Sequence, residues 1–261
     1  MLKGLRALGS VAGLRTSGGF NPASLFVFGE QGLWLDPSDI TTLFQDSAGT
    51  TPVTAAGQSV GLIKDKSGRG NHAIQATGAL RPTYVVNSGI AGIQFNGSTQ
   101  FIQTGTITPG TDKAQLFAGL RKLSDAARGT AFILFAAGGR LNLDAPSAAL
   151  NNYTAVAGGS AVQGATSGVI TSPHIDVVSI ADDITTSNLV LRVNGAQVAS
   201  NATSQGTGNF PAATMTIGSN TAGANPFNGI LTSLIVRFGP NMAADRVVTV
   251  ERYVNSKTLA Y

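Results

Sequence analysis

The sequence contains no cysteine, only two histidines and few charged side chains. Charged residues make up 11% of the 261 positions, whereas about a quarter is usual in globular proteins. Without cysteine, neither a disulfide framework nor a thiolate metal site can form. The neutral, hydroxyl-rich surface that remains is typical of an extracellular or particle-assembled β-protein. A protein whose surface is largely covered by neighbouring subunits would have the same composition.

Long apolar runs are also missing from the chain. Nothing approaches the roughly 20 consecutive apolar residues of a membrane-spanning helix. The N-terminal leucines are interrupted by Gly4, Arg6, Gly9 and Gly13, so they lack the uninterrupted apolar core of a secretory signal. We therefore expect neither a membrane span nor a cleaved signal.

The net charge of +4 is unevenly distributed along the sequence. Three of the 17 basic residues, Lys3, Arg6 and Arg15, precede the first acidic residue, Glu30. The remaining 14 of these 17 face 13 acidic residues, which leaves a net charge of only +1 on the rest of the chain. A basic arm on a nearly neutral body differs from a basic DNA-binding face, so no specific nucleic-acid partner is expected.

Residues 1–28 are predicted to form a basic attachment arm and linker, followed by one domain over residues 29–261. Apolar residues recur at about every third position of the arm, and Ser17-Gly18-Gly19 provides a flexible joint. One interpretation is a partly disordered tail. The other is a docking arm that becomes ordered only against a partner. The residues assigned to attachment are Lys3, Leu5, Arg6, Leu8, Val11, Leu14 and Arg15.

The clearest strand pattern lies between Asn188 and Gly239. Leu189, Leu191 and Val193 alternate with other side chains at the period of a half-buried strand, so these three are predicted to face inward. Asn194-Gly195 follows at once and predicts a tight hairpin, because both residues tolerate positive φ.

Further short segments of this kind predict an antiparallel sandwich of about a dozen strands or more. The first strand is expected at Leu25-Phe26-Val27-Phe28. The run Phe132-Ile133-Leu134-Phe135 is apolar on both faces, so a fully buried central strand is expected there. Trp34 is expected to pack in the core rather than to stack on a sugar.

A single convincing helix is predicted at the C-terminal end. Val247, Val250 and Val254 recur at helical spacing and continue a stripe that begins at Ala243. Asn241 is the expected cap of this helix. The stripe should pack on the outside of the sandwich.

Two parts of the sequence carry a family resemblance. The segment GLWLDPSDITTLFQDSAGTTPVTAAGQSVGLIKDKSGRGNHAIQATGALRPTY resembles the opening of jelly-roll domains in tailed-bacteriophage virion proteins. The segments LVLRVNGAQV, MTIGSN and NPFNGILTSLIVRFG, with the closing helix, resemble the second half of a laminin-G-like, concanavalin-A-like jelly roll. The resemblance implies an all-β, two-sheet antiparallel sandwich with a C-terminal helix and an N-terminal arm.

The resemblance also implies a function. It suggests a non-enzymatic structural protein of the virion, associated with the tail, baseplate or fibre and present in multiple copies. Such a protein would be held to other virion proteins by its arm and would present a lectin-like jelly roll to host-surface glycans. The alternatives are a capsid decoration protein and, less favoured, a carbohydrate-active enzyme.

One short motif resembles the Asp-x-Ser-Gly-x-Gly-Asn turn of the jelly-roll family. Its acidic and amide side chains could be metal or sugar ligands. The structural interpretation is favoured, because such side chains hydrogen-bond a backbone that glycines allow to curl tightly. The residues of this turn are Asp65, Ser67, Gly68, Gly70, Asn71 and His72.

Carboxylates for catalysis are scarce. Glycoside hydrolysis needs two carboxyl groups roughly 5–9 Å apart, whereas Asp182 and Asp183 are adjacent and would point to opposite faces of a strand. No catalytic residue and no metal site are therefore assigned. Replacing either aspartate by asparagine is expected to leave stability nearly unchanged unless calcium is involved.

No cofactor is expected, although the resemblance leaves calcium open. Some laminin-G-like domains bind calcium at one rim through aspartates and carbonyl groups, and this cation needs several oxygen ligands. The residues that could form such a ligand rim are Asp182, Asp183, Asn220 and Asn225.

Overall fold

The computed structural model describes residues 19–147, 151–220 and 223–261. Within these residues the chain forms two antiparallel sheets and one α-helix, α1 (Ala244–Thr258). The predicted two-sheet antiparallel sandwich with a C-terminal helix is thereby confirmed. None of the helices in the described part of the chain is long and apolar enough to cross a membrane.

Sheet A forms one layer of the sandwich. Its strands in spatial order are β15 (Ala196–Asn201), β14 (Asn188–Val193), β13 (His174–Asp183), β8 (Lys113–Lys122), β17 (Asn228–Phe238), β6 (Ile90–Asn96) and β5 (Thr83–Asn87), with β1 (Gln31–Leu35) outside this path. Strand β1 pairs with the second half of β17, whereas β6 pairs with its first half.

Sheet B forms the other layer. Its strands in spatial order are β12 (Val162–Thr166), β11 (Thr154–Gly158), β10 (Gly139–Asp144), β9 (Thr130–Ala136), β16 (Ala213–Ile217), β7 (Ile102–Ile107), β4 (Ala73–Ile74), β3 (Leu62–Ile63) and β2 (Leu43–Phe44). The last three are only two residues long, so this edge is held mostly by loops.

The main core lies between the sheets. Leu189 and Leu191 are fully buried in it and Val193 is 7% exposed, as their alternation predicts. The predicted hairpin joins β14 to β15, and Asn194 and Gly195 have φ values of +50° and +78°. A local rule of turn chemistry thus fixes the register of this sheet edge.

A second apolar cluster covers the outer face of sheet A. Val250 and Val254 of α1 are fully buried there against side chains that include Trp34 and Phe117. Trp34 is therefore buried as expected, but beneath the helix and not in the main core. Ala243 is exposed and is itself the N-cap, without a side-chain capping bond, so the prediction of Asn241 as the cap is wrong.

The segment before β1 belongs to this outer cluster. A short 3-10 helix, Pro22–Leu25, takes the place of the predicted strand at residues 25–28, because Asn21 caps it through its side chain and Pro22 begins it. Leu25 and Phe26 are 4% and 3% exposed and pack in the outer cluster. The predicted arm therefore overlaps the folded body.

Strand β9 is central in sheet B, as expected for the run from Phe132 to Phe135. Phe132 and Leu134 are fully buried, and Ile133 is 5% exposed. Phe135 is 43% exposed, however, because it lies near the β9–β10 hairpin on the outer face. The prediction that side chains on both faces of this strand are buried therefore holds from Phe132 to Leu134 but not at Phe135.

Candidate functional site

A groove opens at the edge of the sandwich where β1 begins and β17 ends. Its volume is about 540 Å³, which lies within the range of small-molecule sites. The lining includes Phe28, Glu30, Thr111, Arg237 and Pro240, and we call this hollow the rim groove. A smaller hollow of about 180 Å³ adjoins it and shares the side chains of Phe28, Glu30 and Arg237.

Phe28 is the most exposed large apolar side chain in the described part of the chain. It is 91% exposed, and its neighbour Val27 is 65% exposed. Gly29 follows with a φ of +99°, a value that favours glycine, so the chain turns sharply after the ring. The ring stands between the two hollows. Exposed aromatic rings of this kind are common anchors of ligands and partners.

A buried ion pair forms the base of the rim groove. Nη2 of Arg237 donates to Oε1 of Glu30 at 2.9 Å, and the two side chains are 8% and 9% exposed. Nε of Arg237 donates to the carbonyl oxygen of Leu25 at 3.0 Å, and Nη1 donates to that of Pro240. Oε2 of Glu30 accepts from the N–H of Phe28 at 2.9 Å. The pair therefore ties the Phe28 loop to β17.

Glu30 is ionised in this arrangement. Burial opposes its ionisation, but hydrogen bonds from its own backbone N–H, from Arg237 and from Phe28 outweigh burial and lower its pKa. Because the guanidinium balances this carboxylate, the base of the groove offers fixed polar groups without net charge.

The predicted turn motif lies behind this loop, and its aspartate is fully engaged. Oδ1 of Asp65 accepts from the N–H groups of Trp34 and Ser67, each at 2.9 Å. Oδ2 accepts from the hydroxyl of Ser67 at 2.7 Å and from the N–H of Asn71 at 2.9 Å. With four donors on one carboxylate, the structural interpretation of Asp65 is favoured over a ligand role.

The other members of the motif also serve its backbone. Gly68 and Gly70 have φ values of +84° and +74°, which permit the tight curl. Nδ1 of His72 accepts from the N–H of Asp65 at 2.9 Å. The histidine therefore closes the turn and does not face the rim groove.

The motif also holds the segment that carries Phe28. Nη2 of Arg69 donates to the carbonyl oxygen of Phe26, two residues before the exposed ring. Nδ2 of Asn71 donates to the carbonyl oxygen of Gly32 at 2.6 Å, two residues after Glu30. The turn thus fixes the chain on both sides of the groove loop.

The four residues of the predicted ligand rim are not brought together. Asp183 lies at the end of β13 and forms an ion pair with Lys113 at 2.9 Å, at the start of β8. Asn220 and Asn225 precede β17, whose first residues pair with the other end of β8. Because β8 is ten residues long, the two groups lie roughly 30 Å apart along the sheet.

Asp182 does not face a rim at all. It is fully buried, and its Oδ1 accepts from Nε2 of Gln205 at 2.6 Å. Burial raises its pKa to about 7, with smaller contributions from the charges of Asp183 and Asp112. Because this carboxyl group is buried and its pKa is raised, replacing Asp182 should change the stability of the protein, contrary to the expectation from the sequence.

The predicted attachment residues lie outside the described part of the chain. Lys3, Arg6 and the other arm residues up to Arg15 all precede Gly19, where the description begins. Among residues 19–147, 151–220 and 223–261, no group of three or more His, Asp or Glu side chains could hold a metal ion.

Sequence reasoning missed the groove residues. The sequence predicts a strand at Phe28, whereas this residue lies in a loop before β1. Glu30 and Arg237 are separated by more than two hundred positions. The one local signal was Phe28-Gly29, a large apolar residue directly before a glycine and an acid. The pairing of Glu30 with Arg237 arises only from the β1–β17 ladder.

Comparisons with known proteins bear on the fold. No protein-family model matches the sequence, and no curated protein is similar to it. Among solved structures, domain 4 of AbnA, a GH43 extracellular arabinanase from Geobacillus stearothermophilus in complex with arabinotriose, superposes with a TM-score of 0.57 at 16% identity. That alignment covers 89% of this chain and 100% of the arabinanase domain.

Two other structures give similar values. A GH54 α-L-arabinofuranosidase soaked with a cyclic sulfate inhibitor has a TM-score of 0.62 at 15% identity, over 92% of this chain and 66% of that one. Botulinum neurotoxin type C, whose cell entry depends on two ganglioside molecules, has a TM-score of 0.58 at 10% identity, over 86% of this chain and 51% of that one. These likenesses establish a shared jelly-roll sandwich, and the chain spans about half to two thirds of these two relatives.

Proposed function

We propose that this protein is a lectin-like binding module that holds a glycan in the rim groove. The observation that carries the proposal is the position of Phe28, a 91% exposed ring beside a hollow of about 540 Å³. A sugar offers an apolar C–H face to an aromatic ring and hydroxyl groups to nearby polar atoms. Sugars or gangliosides are named with two of the similar structures, which supports this choice.

We further propose that the protein is not an enzyme. The carboxylates near the groove are engaged in structural bonds: Glu30 with Arg237, and Asp112 and Asp183 with Lys113. Hydrolysis of a glycosidic bond needs one carboxyl group free to donate a proton and a second free to attack or to activate water. A binding role makes no such demand.

The setting that we propose is a phage virion, on the tail, baseplate or fibre, with the basic arm bound to other virion proteins and several copies on each particle. The support is the sequence resemblance of the front half and the excess of positive charge before Glu30. Capsid decoration is the alternative. Labelling this chain on intact particles and imaging them separates head from tail.

The glycan proposal is tested by replacing Phe28 with alanine and measuring binding to a printed glycan array. Loss of the ring should weaken binding by about tenfold, as removal of roughly 1.4 kcal/mol of stacking predicts. The melting temperature should not change, because the ring is exposed.

Val27→Ala is the matched control, since it shortens the adjacent exposed side chain and should leave binding intact. Full binding by Phe28→Ala would place any glycan site elsewhere. A wild-type protein that binds no glycan on the array would contradict the proposal itself.

A further inference from the structure

A second cleft lies beside the start of α1. Its volume is about 430 Å³, its floor is the outer face of sheet A, and its wall is the first part of the helix. We call it the helix cleft, lined in part by Gln115, Asn188, Val190, Asn241, Val247 and Val248. The segment between β17 and α1 separates it from the hollow beside the rim groove, since Met242 lines both.

The floor of the helix cleft is a row of cross-strand neighbours. Ala181 lies between Gln115 of β8 and Val190 of β14. Ala181 and Val190 are partly exposed at the point where α1 leaves the sheet uncovered. The row therefore presents a small apolar surface with one amide at its end.

That amide belongs to Gln115, and only its oxygen is hydrogen-bonded to the protein. The side chain is only 1% exposed, and its Oε1 accepts from the N–H of Met242 at 3.0 Å. Within the described part of the chain, its Nε2 has no hydrogen-bond partner. The residue lines the cleft, so this nitrogen is a donor available to a molecule bound there.

Two further amides stand at the mouth of the cleft. Asn188 and Asn241 are exposed, and no side chain or backbone group of the described residues hydrogen-bonds to either amide. The one charged group of the lining, Arg192, is already paired: its Nε and Nη2 donate to Glu251 at 2.7 and 3.1 Å. No unpaired charge of the described residues lines the cleft.

We propose that the helix cleft is a second binding site, for a neutral hydroxylated molecule such as an uncharged sugar. Amides donate and accept hydrogen bonds, as hydroxyl groups do, and the apolar floor suits the C–H face of a sugar ring. An acidic ligand would find no free counter-charge. The proposal does not depend on the rim groove, because the rim groove and the helix cleft share no lining residue.

The test is an NMR titration of the full chain with three probes: glucose, N-acetylglucosamine and, as the acidic counterpart, glucuronate. The neutral sugars should shift the backbone amides of Met242 and Ala244 and the side-chain amide of Gln115. Glucuronate should bind more weakly. Phe28→Ala should leave these shifts unchanged, so failure of the rim groove is distinguished from failure of the helix cleft.

Val248→Trp should fill the cleft and weaken binding of the neutral sugars by about tenfold or more. Arg252→Trp adds the same ring at an exposed position of α1 outside the cleft and serves as the control. If Val248→Trp does not fold, a variant with alanine at the exposed positions Asn188 and Asn241 takes its place.

Three outcomes would overturn the proposal. The first is the absence of shifts at the cleft amides with both neutral sugars. The second is unchanged titration in a folded Val248→Trp protein or in the alanine variant. The third is tighter binding of glucuronate than of glucose.

Discussion

At the scale of single residues, Asp182 and Asp183 show how one step along a strand reverses the chemistry of a carboxyl group. Asp182 points into the sandwich, where burial raises its pKa to about 7. Asp183 points outward to Lys113. Burial opposes its ionisation, but hydrogen bonds from Lys113 and Thr186 prevail, so its pKa is lowered. The two residues should therefore affect stability with opposite signs.

Asp182→Asn should make the protein more stable at neutral pH and above. An unfolded aspartate has a pKa of about 3.9, so between about pH 4 and pH 7 the folded state holds a proton that the unfolded state has released. The free energy of unfolding therefore falls as pH rises through this window. An asparagine side chain can still accept the hydrogen bond from Nε2 of Gln205, but it does not titrate, so this decrease of stability with pH disappears. The free energy of unfolding at pH 8 should therefore rise by about 1–4 kcal/mol.

Asp183→Asn is the matched control, with the reverse expectation. Its lowered pKa contributes stability that is present above the unfolded pKa and is lost as pH falls. The substitution should lower the free energy of unfolding at neutral pH, and the difference from the parent should vanish in acid. Denaturant titrations at several pH values measure the free energy of unfolding of both variants. If this free energy depends on pH in the same way in the parent and in Asp182→Asn, the raised pKa of Asp182 is contradicted.

At the scale of elements, the Asp65–His72 turn and the Phe28 loop form one unit. The turn motif was predicted as structural from its own residues, but its connection to residues 26–32 spans some forty positions and has no local signal. Arg69 lies within the predicted turn, but the sequence predicts no role for its side chain. Its reach to the carbonyl of Phe26 gives the motif a role in placing the exposed ring.

Arg69→Ala should loosen the Phe28 loop without unfolding the protein. Loss of one hydrogen bond of a charged donor should lower the free energy of unfolding by about 1.5–3 kcal/mol. Because the loop is then held less firmly, chymotrypsin should cleave several-fold faster after the exposed Phe28. Arg81→Ala is the control, because Arg81 also donates to carbonyl groups, among them those of Gln45 and Ala76, on another part of the surface. It should lower stability without changing cleavage after Phe28.

Two results would contradict this role of Arg69. One is an unchanged rate of cleavage after Phe28 in the Arg69→Ala protein. The other is an equal acceleration in the Arg81→Ala protein, which would reflect a general loss of stability.

Local patterns predicted some elements well and others not at all. The β14–β15 hairpin was predictable because alternation and an Asn-Gly turn lie within a dozen residues. Strands β11 and β12 escaped prediction, since Thr154–Gly158 and Val162–Thr166 consist largely of alanine, glycine, threonine and valine without clear alternation. The helix α1 was predictable from its stripe, but its cap was not, because Ala243 has no capping side chain.

At the scale of the whole molecule, the outer cluster decides where the folded body begins. Leu25 and Phe26 pack with Trp34, Phe117 and Val250, which lie in three different elements, β1, β8 and α1. Such contacts arise from topology and have no signature in the sequence around residue 28. The rim groove has the same origin, because it is bounded by the start of β1 and the end of β17.

Two truncations should therefore behave differently. Deleting residues 1–28 removes the buried side chains of Leu25 and Phe26 and uncovers Trp34. Each lost side chain removes about 1.5–3 kcal/mol of burial energy. The free energy of unfolding of this variant should therefore fall by about 3–6 kcal/mol, and the variant should aggregate.

Deleting residues 1–18 removes none of these side chains, so the melting temperature and glycan binding should not change. Under the proposal that the arm is the attachment element, this shorter variant should no longer enter particles. Thermal melts and quantification of this chain in purified particles test both expectations. Normal occupancy of the shorter deletion would move attachment to the jelly roll. An unchanged melting temperature of the longer deletion would contradict the packing described for Leu25 and Phe26.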